Sequence, residues 1–153
     1  MRADVGVLLI RLVGVGLAAA HGIPKLAALL AGTSRFPESV GSLGFPMPVA
    51  FAWAAALAET LGGIGIAVGL FTRVSAALAS APMFVAAFLR HRAHEHLLAS
   101  LGLRTVGEET LKSWGSPELA LVYLLPLLGV ALIGPGRLSL DAMRKGPRVG
   151  GKK

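Results

Sequence analysis

A chain of 153 residues with 54% hydrophobic and only 15% charged side chains, at a mean hydropathy of +0.70, would expose too much apolar surface in water, and lipid is its expected solvent. It contains no cysteine, which excludes disulfides, thiol redox relays, thiolate zinc sites and cysteine-ligated iron–sulfur clusters. The net charge of +7 does not point to nucleic acid: Arg2, Arg137, Arg144, Lys145, Arg148, Lys152 and Lys153 lie at the chain ends with no interleaved aromatics for base stacking. Basic ends beside apolar helices fit anionic lipid headgroups instead.

In chain order, the first apolar segment spans about residues 5–30. It carries Arg11 and ends in His-Gly-Ile-Pro-Lys rather than a small-residue cleavage site, so a retained helix is expected in place of a signal peptide. The stretch from Gly32 to Pro48, rich in Gly, Pro and Ser, reads as a fold-over or interfacial segment. The second span covers about 47–71 with Glu59 inside it, and the third covers about 74–90 after the turn at Thr72-Arg73. A long connection, Arg90 to Ser116, holds three histidines and the strip Leu97-Leu98-Leu101-Leu103, which suits a short interfacial helix. The fourth span covers about 117–134, closed by Gly134-Pro135-Gly136.

The expected architecture is an all-α, integral membrane four-helix transmembrane bundle, a single domain over 1–143 with a basic tail at 144–153. Four spans put both termini on one side. Eight basic residues against six on the opposite side favour the cytoplasm for the termini, in a cytoplasmic or inner membrane. Trp53, Trp114 and Tyr123 suit interfacial belts, and Pro82 with Met83 suits a packed, kinked third helix.

Ionised groups in hydrocarbon are costly, turn inward and find partners. Arg11 and Lys25 fall within roughly 40° of each other on a helix, with Gly14, Ala18 and Gly22 in the strip between them. Small residues beside cations predict a close helix–helix crossing with the polar groups sealed inside, and His21 borders the same region. The expected partners are Glu59 for Arg11 and Glu118 for Lys25, two ion pairs that either set helix register or mark a functional pathway. In the connection, His91, His94 and Glu95 would share a helix face at i, i+3, i+4, a weak metal or haem candidate; a lipid-facing interfacial strip is the blander reading and the preferred one. No nucleotide loop, nucleophile elbow or H-E-x-x-H motif is present.

The chain resembles the DoxX family of small four-helix membrane proteins. The resemblance lies in Leu9-Ile10-Arg11-Leu12 with Gly14, in His21-Gly22 with Lys25-Leu26, and in Glu59 with Gly62-Gly63 and Gly69-Leu70-Phe71-Thr72-Arg73. It continues in Glu118 through Tyr123 and in Gly134 through Asp141. It covers roughly residues 8–143, with the histidine-containing connection and the basic tail as departures. The resemblance implies a membrane subunit associated with redox systems, one branch being quinone-reducing. It implies Arg11, His21, Lys25, Glu59, Glu118, Tyr123 and Asp141 as the polar lining of a shared cavity, with Asp141 capping a short terminal helix or pairing with Arg73.

The expected function is therefore an accessory or quinone-interacting subunit of a membrane redox system, not catalytic on its own, with electrons supplied by a partner or a bound cofactor. Quinone is the cofactor it suits, and a redox enzyme, membrane lipids or further copies of the chain are its partners. The alternatives are a carrier or channel-like module for a small solute or lipid, and a membrane anchor for a soluble enzyme.

Overall fold

The computed structural model describes residues 1–144, and the expected tail lies, from Lys145 onward, outside them. Every regular element among the described residues is helical. Helix α1 runs Arg2–Leu30, α2 Phe36–Ser42, α3 Pro48–Val68 and α4 Thr72–Arg90. Short helices α5 (Ala93–Ser100) and α6 (Glu108–Trp114) follow, then α7 (Glu118–Ile133) and α8 (Leu140–Arg144). Helices α1, α3 and α4 are long and apolar enough to cross a membrane, and α6 with α7, bent by 52° at their junction, make a fourth crossing if taken as one span. That bend has a length argument behind it: 16 residues of α7 rise only about 24 Å, short of an apolar layer about 30 Å thick.

The packing is inverted relative to a water-soluble bundle. Beside a few large residues such as Leu17, Ile66, Leu124 and Leu127, the buried positions include Ala52, Ala56, Ala76, Ala79, Ala87 and Ala120 together with Arg11, Glu59, Thr60, Thr72 and Ser80, while Leu61, Leu78, Leu125 and Leu132 face outward. Lipid tails solvate leucine as well as a core would, so helices in a membrane associate through small residues and internal polar contacts. The alternation along α1, α3, α4 and α7 is what that solvent requires.

The tightest crossing joins α1 to α3. A Cβ placed on Gly14 would strike the backbone oxygen of Gly63, and one on Gly63 would come within 2.7 Å of the Gly14 oxygen and 2.9 Å of the Ala18 nitrogen. One on Gly22 would lie 2.5 Å from the Thr60 nitrogen. The strip Gly14, Ala18, Gly22 anticipated as a close contact is where the two backbones meet. Two of the long helices, α1 and α4, are also locally widened. A π-helical stretch covers Leu17–Gly22 of α1 just before Pro24, and another covers Val85–Arg90 of α4 after Pro82. Proline has no N–H to donate, so the ladder next to it re-registers.

Two boundaries differ from the sequence expectation. Helix α3 ends at Val68 rather than near residue 71 because Gly69 adopts φ 74°. The Leu70 N–H then bonds back to the Gly65 oxygen at 2.8 Å and the Gly69 N–H to the Ile66 oxygen at 3.2 Å, the paired closure that ends helices on a left-handed glycine. Helix α4 consequently starts at Thr72, two residues earlier than expected. The Gly/Pro/Ser stretch contains α2, whose Val40 is buried. The long connection contains α6 in addition to the anticipated helix at the leucine strip, and Leu97, Leu101 and Leu103 there are exposed.

The crossing yields a sharp comparison. Gly63→Ala should destabilise the protein by about 1–3 kcal/mol through overpacking, whereas Gly6→Ala, at a helical site with nothing within 4 Å of the new Cβ, should be neutral or stabilising. Denaturation in mixed micelles followed by circular dichroism measures both, and equal effects would refute the close approach.

Candidate polar site

The α1–α3 crossing sets which charges meet. Gly14 faces Gly63 and Gly22 faces Thr60 in antiparallel fashion. Arg11, three residues before Gly14, therefore lies beside residues three beyond Gly63, and Lys25, one turn beyond the Gly22 that packs on Glu59 and Thr60, reaches Glu59 with its long side chain. The expected pair Arg11–Glu59 does not form. Instead both Glu59 carboxylate oxygens accept from the Lys25 ammonium, at 2.6 and 2.7 Å. Glu59 is 1% exposed and Lys25 29%, so the pair is sealed on the acid's side and open on the amine's. The Phe36 ring of α2 lies 4.7 Å from the Lys25 Nζ, a cation–π cover over the exposed side. The expected Lys25–Glu118 pair is likewise absent: Glu118 is exposed at the start of α7 and makes no ion pair among the described residues.

One helical turn before Lys25, His21 meets Tyr123 of α7 edge to face, with ring centroids 5.2 Å apart. Tyr123 thus belongs to the α1–α7 contact, and its hydroxyl would be 2.9 Å from a Cβ on Gly16. The Lys25–Glu59 pair and the His21–Tyr123 contact thus lie one turn apart on α1 and draw on three helices.

Arg11 makes its contacts at the other end of the bundle. Its Nε donates to the Ile66 oxygen at 2.8 Å, one terminal nitrogen to Ala67 at 2.8 Å, and the other to Pro135 at 3.0 Å and Leu138 at 2.6 Å. A single guanidinium thereby satisfies carbonyls at the C-terminus of α3, where the helix dipole favours a cation, and carbonyls of the Gly-Pro-Gly turn after α7. Carbonyl oxygens are a recognised alternative to a carboxylate partner inside a membrane. Gly69 must be glycine here on two counts: its φ is positive, and a Cβ would lie 2.6 Å from the Arg11 guanidinium.

Asp141 completes this end. It accepts from the Phe71 N–H at 2.9 Å, the Thr72 N–H at 2.8 Å and the Thr72 hydroxyl at 2.8 Å, and its own N–H bonds to the Gly69 oxygen at 2.8 Å. Asp141 is a cap, but of α4 across the chain rather than of its own short helix, and it does not pair with Arg73. The N-terminal turn joins the same end, since Asp4 accepts from the Arg137 N–H at 3.1 Å. Arg144, expected to begin the tail, closes α8 with its guanidinium 5.0 Å from the Phe71 ring.

Six of the seven candidate residues fall at two separated ends of the bundle, and the seven do not line one shared cavity. Lys25 pairs with Glu59 near the His21–Tyr123 contact; Arg11 and Asp141 meet around Gly69; Glu118 joins neither. Thr72, Phe36 and the carbonyls of Ile66, Ala67, Pro135 and Leu138 went unnoticed in the sequence. Only Thr72 carried a signal, as a capping-type residue directly after the Gly69 helix stop.

The histidine connection is rearranged as well. Arg92 takes φ 48°, which breaks the helix between His91 and His94, so the expected i, i+3, i+4 face does not exist. The His91 Nδ1 lies 2.6 Å from the Trp114 oxygen, Arg92 stacks on the Trp114 ring at 5.3 Å, and Glu95 pairs with Arg104 at 2.7 Å. Among the described residues no three His, Cys, Asp or Glu side chains group as metal ligands.

A helical membrane bundle with buried polar clusters is thus the class of protein these contacts define. A family profile described as DoxX matches residues 6–92, more than half of the chain, and the chain belongs to the DoxX family. Searches of the curated proteins and of the solved structures return no significant match.

The Asp141 cap predicts a pH response. Burial pushes its carboxyl up, but the Thr72 and Phe71 donors and the Arg144 charge outweigh burial and hold it below the usual value. A group with a depressed folded pKa stabilises the fold above its ordinary value of about 3.9 and loses that contribution as pH falls through the folded value. Asp141→Asn should lower stability at pH 7 by about 1 kcal/mol, with the gap to the native chain closing below about pH 4. Micelle denaturation at a series of pH values checks both statements, and a gap that widened in acid would contradict them.

Proposed function

We propose that this DoxX-family protein is an accessory subunit of a membrane redox system, in which the Lys25–Glu59 pair receives the polar head of a quinone-like amphipath. The observation that carries the reading is the asymmetry of that pair: a Glu59 side chain only 1% exposed holds a Lys25 side chain that is 29% exposed, beside an aromatic ring. An ammonium has three donors and Glu59 engages it at two contacts, so Lys25 retains capacity to donate to a carbonyl oxygen arriving from the lipid side. The quinone, when bound, supplies the two-electron, two-proton chemistry. The chain supplies the head-group donor at Lys25, the Glu59 carboxylate that orients this amine, and the Phe36 face against which a ring can stack. His21, one turn away, provides an imidazole able to take up or release a proton beside Tyr123. In this reading the protein sits in the inner membrane with the Arg11 end and both termini toward the cytoplasm, and its electrons come from an associated enzyme.

Organic extraction of protein purified in mild detergent, followed by ultraviolet difference spectroscopy with and without reductant, tests the assignment. The native chain should carry quinone at a substantial fraction of one per protein. The double substitution Lys25→Met/Glu59→Gln, which removes both charges and so leaves no unpaired one buried, should carry about tenfold less while keeping its helicity. Equal quinone in the two preparations, or none in the native chain, would overturn it.

A further inference from the structure

We infer that the outer face between α1 and α7 is a binding site for one anionic phospholipid, with an acyl chain in the groove and the headgroup phosphate on Arg2 and Arg137. Helices α1 and α7 pack against each other. Tyr123 reaches Gly16, and Arg11 reaches the Pro135 and Leu138 carbonyls just beyond α7. Beside their line of contact lies an open groove of about 450 Å³ lined by Leu9, Ile10 and Val13 on one side and Leu125, Pro126, Gly129 and Ile133 on the other. Gly129 makes the space: a Cβ there would find nothing within 4 Å. The groove lies on the lipid-facing surface, since Leu9, Leu125 and Ile133 are all exposed, and its wall is purely aliphatic, which suits an alkyl chain and offers nothing to a polar solute.

Charge at one end of the groove selects the occupant. Leu9 and Ile133 mark the end nearest the N-terminal turn of α1, where Asp4 holds the Arg137 backbone N–H and so places Arg137 beside the turn that carries Arg2. Both arginines are exposed. The one acid among these groups is Asp4, and it is already engaged by the Met1 amino group at 3.1 Å and by that N–H, which leaves the local balance positive. A basic rim over an aliphatic groove between transmembrane helices is complementary to an anionic phospholipid, and the fork of an arginine suits a phosphate.

Native mass spectrometry of the full chain in detergent, titrated with phosphatidylglycerol or with phosphatidylcholine of the same chain length, tests the site. The native chain should retain one phosphatidylglycerol with a preference of roughly thirtyfold, the combined pull of two surface arginines on an anionic headgroup. Arg2→Gln/Arg137→Gln should bring phosphatidylglycerol down to the level of phosphatidylcholine, and Gly129→Phe, which fills the groove, should reduce retention of both lipids. A preference that persists without the two arginines would place the anion selectivity elsewhere and overturn the headgroup assignment. Unchanged retention in a folded Gly129→Phe would overturn the groove. Should Gly129→Phe fail to fold, the surface arginine pair still decides, because neither side chain is buried.

Discussion

The structure depends on the backbone-to-backbone crossing of α1 and α3 at Gly14 and Gly63. With no side chain between them, the two helices approach until an added Cβ would collide with main-chain atoms. Such contact supplies the dispersion that holds helices together where lipid removes the hydrophobic drive. It also leaves little freedom to slide or rotate one helix on the other. The polar contacts of α1 with α3 then follow from register: Lys25 is delivered to Glu59, and Arg11 is carried past Glu59 to the carbonyl end of α3.

That delivery divides the charges by task. At the Arg11 end, all four hydrogen bonds go to main-chain oxygens of α3 and of the segment after α7, while Asp141 ties that segment to the start of α4. One cation and one carboxylate thus fasten α1, α3, α4 and the post-α7 turn into a single knot, a structural role with little spare hydrogen-bonding capacity. At the Lys25 end the carboxylate is closed and the amine half open, with a ring over it and a histidine one turn away. An ionisable group left partly accessible inside a membrane is where function is expected.

Much of this was legible in the sequence, and the exceptions have definite causes. The four apolar segments, the small-residue strip Gly14-Ala18-Gly22 and the special status of Arg11, Lys25 and Glu59 follow from composition and period, because lipid imposes a simple rule on what may face it; Asp141 was singled out by the family resemblance alone. The pairing of the charges did not follow. Choosing between Arg11 and Lys25 for Glu59 needs the crossing point to within one helical turn, and several glycines in α3 offered alternatives. Arg11 was further hidden because its partners are carbonyl oxygens, which every residue has and no sequence pattern marks. The histidine face failed at Arg92, whose positive φ has no signature in an arginine. The left-handed stop at Gly69, by contrast, belongs to a residue type that commonly makes such stops, and the sequence reading simply ran the helix through it.

The register claim is tested most directly by double-mutant cycles on the unfolding free energy in micelles, comparing Lys25→Met with Glu59→Gln and Arg11→Met with Glu59→Gln. The structure predicts a coupling well above about 0.5 kcal/mol for the lysine cycle and additive behaviour, within about 0.5 kcal/mol, for the arginine cycle. Strong coupling of Arg11 to Glu59 with none for Lys25 would contradict the crossing at Gly14 and Gly63, and with it the separation of the knot from the open pair.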